Sequence, residues 1–458
     1  MKMLVDICRT VVGALFVVSG LIKSNDALGF MYKLEEYFEP GALNLDFLTP
    51  YALEIAVFVC VGEILLGVAL LVGALPKLVS VLTTGMMLFF TWLTWYTATC
   101  DPFGFKEIVG PDGAITSIAN QCVLECGCFG NAIPLTPTQS FYKDVILMIF
   151  VLPVLIAAYR NKISLNDTKT SMIVYTIAIV MTFLFGYLML DWTFPTLYLI
   201  LLLFAAEAVR KRVKSDKVEW LMAAATLVVI GAFQYKTLAH LPMKDYRPYS
   251  DGESIVINRM SAEELGLEAP KYAYEWIFKN NNTGKDTIVL SNDWSEKKYW
   301  DSPWFTSTYE KVKKKDYNQV TISEGYEPRI LDFKMLDEAG EDLADSLLNT
   351  SGYTFLHISK DLDASGAAGQ TAFNAIAESA LAEGHSFYGL TNVDYDASED
   401  FRHEHQAPYD FLTCDQTELK IIVRSNPGLV LLKEGVVVEK WAWRDVPLFD
   451  DIKDSLIK

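Results

Sequence analysis

Long apolar segments separated by short charged gaps fill the first half of the chain, and shorter alternations of apolar and polar residues fill the second half. A helix crosses a bilayer with about 20 mostly apolar residues. The segments that reach or approach this length are 4–23, 51–75, 77–98, 138–159, 169–190, 194–210 and 218–238, of which the sixth is the shortest. The pattern predicts an all-α bundle of about seven transmembrane helices. No small-residue cleavage site follows the first segment, so we expect a retained membrane helix there.

The basic residues of the gaps predict how this bundle is oriented. Loops rich in Lys and Arg stay in the cytoplasm. Such residues occupy the second, fourth and sixth gaps: Lys77, then Arg160 and Lys162, then Arg210, Lys211, Arg212, Lys214 and Lys217. We therefore expect the amino terminus inside and the carboxyl terminus outside. The loop 99–137 and everything after about residue 240 would then lie outside the cytoplasm.

The polar half predicts a β-rich region followed by an α/β domain. Tyr274, Trp276 and Phe278 alternate along one arm of a β-hairpin predicted over 272–291. Further strands are expected at 330–335, 353–359, 386–390, 419–423, 429–432 and 436–441, and helices at 370–382 and from 449 onward. This succession has the size of a thioredoxin.

The predicted fold class is thus multi-domain. A four-helix membrane domain over 1–160 contains the loop 99–137, and three more helices follow over 161–240. A periplasmic β-rich linker over 241–324 leads to the α/β domain over 325–458. The net charge of −18 lies mostly in the polar half, which argues against nucleic acid as a partner. The bilayer and envelope proteins are the expected partners.

Four of the seven cysteines lie in the loop, at Cys100, Cys122, Cys126 and Cys128. Disulfides persist outside the cytoplasm, and four cysteines allow three pairings among which the sequence does not choose. A Cys126–Cys128 disulfide would close a small ring, and departures from relaxed geometry make such a bond easier to reduce. It would suit the oxidation of a partner, with Cys100 and Cys122 as a second pair. The alternative is two static bridges that brace the loop.

The second membrane segment carries Glu63 near its middle. A carboxylate at that depth is costly and normally faces a partner or a cavity. Arg9 is the nearest candidate partner by depth. The pair is either a structural lock between two helices or a site for a proton or a quinone headgroup. In the second case a relay would pass electrons from a periplasmic dithiol through the loop cysteines to a quinone.

The remaining candidates favour structural roles. Cys8 and Cys60 fall inside membrane segments and are expected to be small packing residues. No metal site is expected, because zinc pairs are usually spaced Cys-x-x-Cys or wider. His403-Glu404-His405 lies in acidic surroundings that predict an exposed loop. Cys414 has no partner in its own domain, so it is either buried and inert or available to another chain.

Two parts of the chain resemble known families. The first four membrane segments resemble the DoxX and MauE group of bacterial membrane proteins. The residues that carry this resemblance are Arg9, Gly13, Phe16, Ser19, Gly20, Lys23, Glu63, Gly67 and Cys126-Gly127-Cys128-Phe129-Gly130. With Asp245 to Tyr249 and Arg424 to Gly428, the whole arrangement looks like a DoxX-type protein of Bacteroidetes. The resemblance implies disulfide formation in periplasmic partners, or a place in a membrane thiol or sulfur oxidoreductase complex.

The C-terminal region resembles a thioredoxin-like domain of the TlpA type. The resemblance implies a cis-proline at Pro427 and a catalytic Cys-x-x-Cys after the strand 353–359. The segment from Lys360 to Gly366 has no cysteine, so this domain lacks the thiolate that disulfide exchange requires.

Two hypotheses of function follow. The first is an inner-membrane component of a periplasmic thiol/disulfide redox system, a membrane thiol oxidoreductase with the Cys-Gly-Cys loop as its redox pair. The second is a non-catalytic scaffold subunit of an envelope complex, whose redox-dead thioredoxin-like domain binds other proteins.

Overall fold

The computed structural model describes residues 2–101, 104–109, 115–123, 127, 129–312 and 319–457. Its N-terminal half is helical. The helices are α1 (Lys2–Asn25), α2 (Ala27–Phe38), α3 (Ala52–Val72), α4 (Pro76–Ala98), α5 (Pro137–Tyr159), α6 (Thr168–Met189), α7 (Phe194–Arg212) and α8 (Val218–Ala239). In the described part of the chain, six helices are long and apolar enough to cross a membrane: α1, α4, α5, α6, α8 and the segment Asp46–Val72 that contains α3. They confirm six of the seven predicted spans.

The remaining predicted span, 194–210, corresponds to α7, and the charged residues of the last turn of α7 exclude it from these six. It nevertheless runs the full height of the bundle. Before it begins, the Trp192 backbone N–H donates to the Gly186 carbonyl in the last turns of α6. At its other end, Arg210 donates to the backbone carbonyl of Asn166, just before α6 begins. We call these two ends the loop end, where α1 finishes, and the basic end, where α1 begins.

The helices α1 and α3 approach each other closely at two glycines. A Cβ atom built on Gly67 would lie 2.7 Å from the Gly13 carbonyl oxygen, and one built on Gly13 would lie 2.9 Å from the Gly67 carbonyl oxygen. Small residues permit such close contact between membrane helices. The side chains around them are fully buried, among them Val17 and Leu71. This contact forms the centre of the bundle.

The loop after α4 contains a small hairpin and a disulfide. The strands β1 (Phe105–Val109) and β2 (Ile115–Ala119) pair antiparallel. Cys100 and Cys122 are disulfide-bonded across the base of this hairpin, with their Cα atoms 5.7 Å apart. The bond excludes the pairings in which Cys100 or Cys122 is bonded to another cysteine of the loop.

The β-rich region forms a four-stranded sheet. Short helix α9 (Ile255–Arg259) precedes it, and its strands are β3 (Lys271–Asn280), β4 (Asp286–Leu290), β5 (Tyr309–Lys311) and β6 (Gln319–Ser323), with α10 (Ser291–Glu296) and α11 (Pro303–Thr308) between β4 and β5. Strand β3 pairs antiparallel with the other three. The predicted hairpin over 272–291 is confirmed by β3 and β4.

The C-terminal region is built on a five-stranded sheet of order β11-β10-β7-β8-β9. Its elements are α12 (Ala344–Leu348), β7 (Tyr353–Ser359), α13 (Leu362–Ala382), β8 (Ser386–Thr391), α14 (Tyr395–His405), β9 (Phe411–Thr413), α15 (Gln416–Ile422), β10 (Gly428–Lys433), β11 (Val436–Ala442) and α16 (Phe449–Leu456). Strands β7, β8 and β9 are parallel, and β10 is antiparallel to both β7 and β11. All seven residues of β7 are buried, because helices cover both faces of the sheet. We call residues 241–457 the external region, because they lie outside the bundle of apolar helices.

Two predicted strands are wrong. The segment 419–423 belongs to α15, because Asp415 caps a helix there by accepting from the backbone N–H groups of Thr417 and Glu418. Leu419 and Ile422 then point to the core at helical spacing. The segment 330–335 is irregular, although Ile330, Phe333 and Met335 are buried in the core. A short apolar run does not by itself distinguish these states from a strand.

The substitution Gly67→Ala is expected to lower the free energy of unfolding by about 1–3 kcal/mol, because the new methyl group would overlap the Gly13 carbonyl. Gly85→Ala is the matched control, since a Cβ atom at Gly85 meets no atom within 4 Å. Both changes carry the same gain in helix propensity. Thermal unfolding of the purified chain in detergent measures the difference, and equal stability of the two variants would contradict the close contact.

Candidate functional site

The predicted pairing of Glu63 with Arg9 is wrong, and Lys23 takes the place of Arg9. Lys23 Nζ lies 2.5 Å from Glu63 Oε1, and both residues are buried, at 5% and 2% exposure. Arg9 lies roughly 21 Å away along α1, at 14 residues from Lys23 and 1.5 Å per residue. It donates to the side chains of Asp6 and Asn166 instead. Because α1 and α3 are antiparallel, Arg9 is level with the end of α3 and Lys23 with its middle.

A cavity of ≈ 590 Å³ opens beside the Lys23–Glu63 pair, and we call it the membrane cavity. Its walls come from α1, α3, α4, α5 and α6 and from Phe129. Its apolar lining includes Phe16, Met87, Phe90, Phe129, Leu147, Phe150 and Phe185, and its polar lining includes Ser19, Lys23, Glu63, Lys143 and Asp144. Glu63 Oε2 has no hydrogen-bond partner among the described residues. A buried oxygen of this kind normally receives a hydrogen bond.

Asp144 is a second buried carboxylate in the membrane cavity, and sequence reasoning missed it. Its Oδ1 lies 3.1 Å from Lys143 Nζ, and its Oδ2 accepts from the Thr94 hydroxyl at 3.1 Å. The available signal was a charged pair, Lys143-Asp144, inside the otherwise apolar span 138–159. An aspartate there is buried for the same reason as Glu63, by facing a cavity instead of lipid.

The predicted redox pair, Cys126 and Cys128, lies outside the described residues. The glycine between them is described and has φ +71°. A Cβ atom on Gly127 would lie 3.1 Å from Lys33 Cγ and 3.7 Å from Phe30 Cδ2. Gly127 therefore packs against α2.

Gly127 also lines a second, smaller cavity of ≈ 60 Å³, which we call the junction cavity. Lys33 and Phe30 line it from α2, and Arg247 and Arg424 line it from the external region. Phe129 contributes to both the junction cavity and the membrane cavity. The residues that flank Cys128 thus connect the external region with the interior of the bundle.

The external region docks on α2 through a cluster of charges. Arg424 forms a two-pronged ion pair with Asp26, with N–O distances of 2.8 and 3.1 Å. The cationic groups of Lys420 and Arg424 lie over the Tyr32 ring, at 4.6 Å and 5.3 Å from its centroid. Lys360 Nζ donates to the Tyr32 hydroxyl at 2.8 Å. We call this set of contacts the junction cluster.

The junction cluster sets the protonation of its own members. Burial acts to raise the pKa of Asp26, but the charges of Arg424 and Arg247 and the hydrogen bonds from Arg424 and the Gly29 N–H together outweigh it, so the pKa lies below its ordinary value. Burial, reinforced by Arg424 and Lys420, lowers the pKa of Lys360 to about 8. Both groups are still charged near neutral pH, so the docking contact is electrostatic under those conditions.

The edge of the external region that faces α2 contains the expected cis-proline. The Asn426–Pro427 peptide bond is cis. The Asn426 side chain accepts from the Lys360 N–H at 2.9 Å and donates to the Asp361 carbonyl at 2.7 Å. Asp361 caps the start of α13 by accepting from the Ala364 N–H. The loop before β10 is thus fastened to the segment that would carry a Cys-x-x-Cys.

The other predicted candidates fall elsewhere. Cys8, Cys60 and Cys414 are free and buried, and burial raises the pKa of the Cys414 thiol to about 12. His403 and His405 lie in α14, so the predicted loop there is wrong, whereas His403 and Glu404 are exposed as predicted. The described residues contain no cluster of three metal-ligating side chains.

The membrane-spanning helices and the sheet that follows them define a multi-pass membrane protein with a mixed α/β region after its bundle. The family model of the methylamine utilisation protein MauE matches residues 1–101. This is the part from α1 to α4, which contains Lys23, Glu63 and Cys100. No curated protein and no solved structure matches the chain. The similarity to MauE thus describes the first part of the membrane domain.

The substitution Arg424→Met is expected to weaken docking by about 1–3 kcal/mol, because it leaves the half-buried Asp26 carboxylate without its partner. Hydrogen exchange of the α2 backbone amides in the full chain measures the loss as faster exchange. Arg444→Met is the control, since Arg444 is exposed and lies over the neighbouring Trp443 ring. Equal exchange rates in both variants would refute the role assigned to the junction cluster.

Proposed function

We propose that this chain is an inner-membrane component of a periplasmic thiol/disulfide redox system, with Cys126 and Cys128 as its redox pair. The main support is the position of Gly127, the residue between the two cysteines. Gly127 lines the junction cavity, and Phe129 lines both that cavity and the membrane cavity. A redox pair in this turn would face clients on one side and an acceptor in the bilayer on the other.

The cysteine pairing also supports the proposal. Because Cys100 is bonded to Cys122, Cys126 and Cys128 are the partners that remain within the loop. A client thiolate would attack the Cys126–Cys128 disulfide, and the client's second thiolate would then resolve the mixed disulfide. The client is released with a new disulfide, and Cys126 and Cys128 are left as two thiols. Cys100 and Cys122 act as a second pair beside it, and a quinone is the proposed final acceptor.

The sidedness of the bundle is part of the same proposal. Asn25 at the loop end bonds to the Lys244 carbonyl, so the external region and the cysteine loop share one end of the bundle. The gaps rich in Lys and Arg lie at the basic end. The positive-inside rule assigns that end to the cytoplasm, and the oxidising compartment to the loop. A DoxX-like and MauE-like protein of the inner membrane fits this arrangement.

An alternative function rests on a specific observation. The parallel unit β7–α13–β8, the hairpin β10–β11, the final helix α16 and the cis-Pro427 support a thioredoxin-like domain of the TlpA type. Its segment from Lys360 to Gly366 has no cysteine. Such a domain would bind envelope proteins without exchanging disulfides, and the chain would be a scaffold subunit of a membrane complex.

The loop cysteines are expected to resist a mass-tagged alkylating reagent in native membranes until a reductant is added. Cys126→Ser is then expected to trap a mixed disulfide, because the Cys128 thiolate can attack a client's disulfide and release one client thiol, and no Cys126 thiol remains to displace the client from Cys128. The trapped species is measured as a reductant-sensitive band of higher mass on a non-reducing gel.

Cys414→Ser is the control for this experiment, since Cys414 is buried away from the loop. Four free loop thiols would contradict the proposal. A chain that traps no client, leaves envelope thiols in their normal state and still co-purifies with envelope proteins would support the scaffold alternative.

The sidedness predicts the behaviour of fusions. A reporter that is active only in the periplasm is expected to be active after Lys458 and inactive after Lys214, because these positions lie at opposite ends of the bundle. A reporter active only in the cytoplasm should give the reverse pattern. Equal periplasmic activity at both positions would overturn the assigned orientation.

A further inference from the structure

We propose that the membrane cavity is the acceptor site and that it binds the ring of a quinone beside the Lys23–Glu63 ion pair, with Asp144 as the second carboxylate of the cavity. This inference rests on the proposed function, which requires a two-electron acceptor soluble in the bilayer. It replaces Arg9 by Lys23, and it locates the site between α1 and α5.

The walls of the cavity suit an apolar ligand that arrives from the membrane. Its volume of ≈ 590 Å³ lies within the range of about 300–1,000 Å³ that is usual for small-molecule sites. Ile146 lines the cavity and is 56% exposed on α5, so the opening is on the lipid-facing side of the bundle. A hydrophobic tail can leave the cavity there while the ring stays inside.

The polar end offers the hydrogen bonds that a quinone ring needs. Lys23 Nζ donates to Glu63 Oε1 and to the Ser19 hydroxyl, and because the residue also lines the cavity, its positive charge faces a quinone carbonyl there. Glu63 Oε2 has no partner among the described residues and is 2% exposed together with the rest of its side chain. It is an acceptor for the O–H group of the reduced product, the quinol. Both redox states of the ligand therefore find a partner at the same place.

The electron and proton balance closes with this acceptor. The Cys126 and Cys128 thiols lose two electrons and two protons when their S–S bond forms. The quinone gains two electrons and two protons and becomes a quinol. Negative charge develops on a quinone oxygen before protonation, and the Lys23 ammonium stabilises it in a site with little water. Phe129, one residue after Cys128, lies in the cavity wall.

A lipid acyl chain is the competing occupant. It would fill the apolar part of the cavity and leave Glu63 Oε2 without a hydrogen bond. A quinone satisfies that oxygen as well as the apolar wall, and for this reason we commit to a quinone.

The test uses the full chain in detergent and a photoreactive azido-quinone with a short isoprenoid tail. We expect labelled peptides from α5.

Ile146→Trp narrows the lipid-side opening and should reduce labelling at least tenfold. Ile149→Trp is the matched control: Ile149 is 63% exposed on the same helix and does not line the cavity, so labelling should persist. Glu63→Gln should reduce labelling at least threefold, with thermal unfolding as the check on its fold.

Each outcome decides the proposal. Competition by free quinone, but not by a tail of the same length without the ring, supports it. Equal labelling of both tryptophan variants, labelling outside the cavity, or equal competition by the bare tail overturns it. Labelling does not require turnover, so it should also occur in Cys126→Ser. The quinone site and the redox role of the cysteines can therefore fail separately.

Discussion

The contact between α1 and α3 is the constraint on which the remaining structure depends. Gly13 and Gly67 let the two backbones meet, and only at that spacing does Lys23 reach Glu63 at 2.5 Å. Each charge alone inside a bilayer would cost several kcal/mol. The pairing reduces that cost and fixes the register of α1 against α3. The same register places the polar end of the membrane cavity, and it places Asp26 directly after the end of α1.

Asp26 then links the membrane domain to the external region. Its carboxylate caps α2 by accepting from the Gly29 N–H at 2.9 Å, and it also binds Arg424. The helix that it starts has Tyr32 on the side of the external region, while Phe30 and Lys33 support Gly127. A displacement of the external region would therefore move α2, the helix that Gly127 contacts. The coupling arises because α2 contacts the external region on one face and Gly127 on another.

The sequence correctly predicted helices and strands whose pattern lies within one segment of the chain. It failed to predict side-chain partners that come from different segments. Apolar length was sufficient for six spans, and β-branched and aromatic residues between turns were sufficient for β7 and β10. The partner of Glu63 was assigned from depth alone, which ignores the offset between antiparallel helices. Asp144 was missed because a charged pair near the start of a span, here Lys143-Asp144, is usually located at the membrane–water interface. Leu419 to Val423 reads as a strand until the cap at Asp415 is considered, and this cap favours a helix.

The absence of cysteine from Lys360 to Gly366 and the docking of that same segment have one physical explanation. Lys360 follows β7 directly and donates to Tyr32, so this edge of the sheet contacts α2. In the thioredoxin-like domain that we propose, the same edge would otherwise meet a client. A thiolate there would face the Lys360 and Arg424 cations and would have no access to a client while docked. In the proposed function this domain positions α2 and the turn, and disulfide exchange takes place in the loop. The scaffold and the redox hypotheses then describe two parts of one chain, with the external region as the support and the loop as the reactive group.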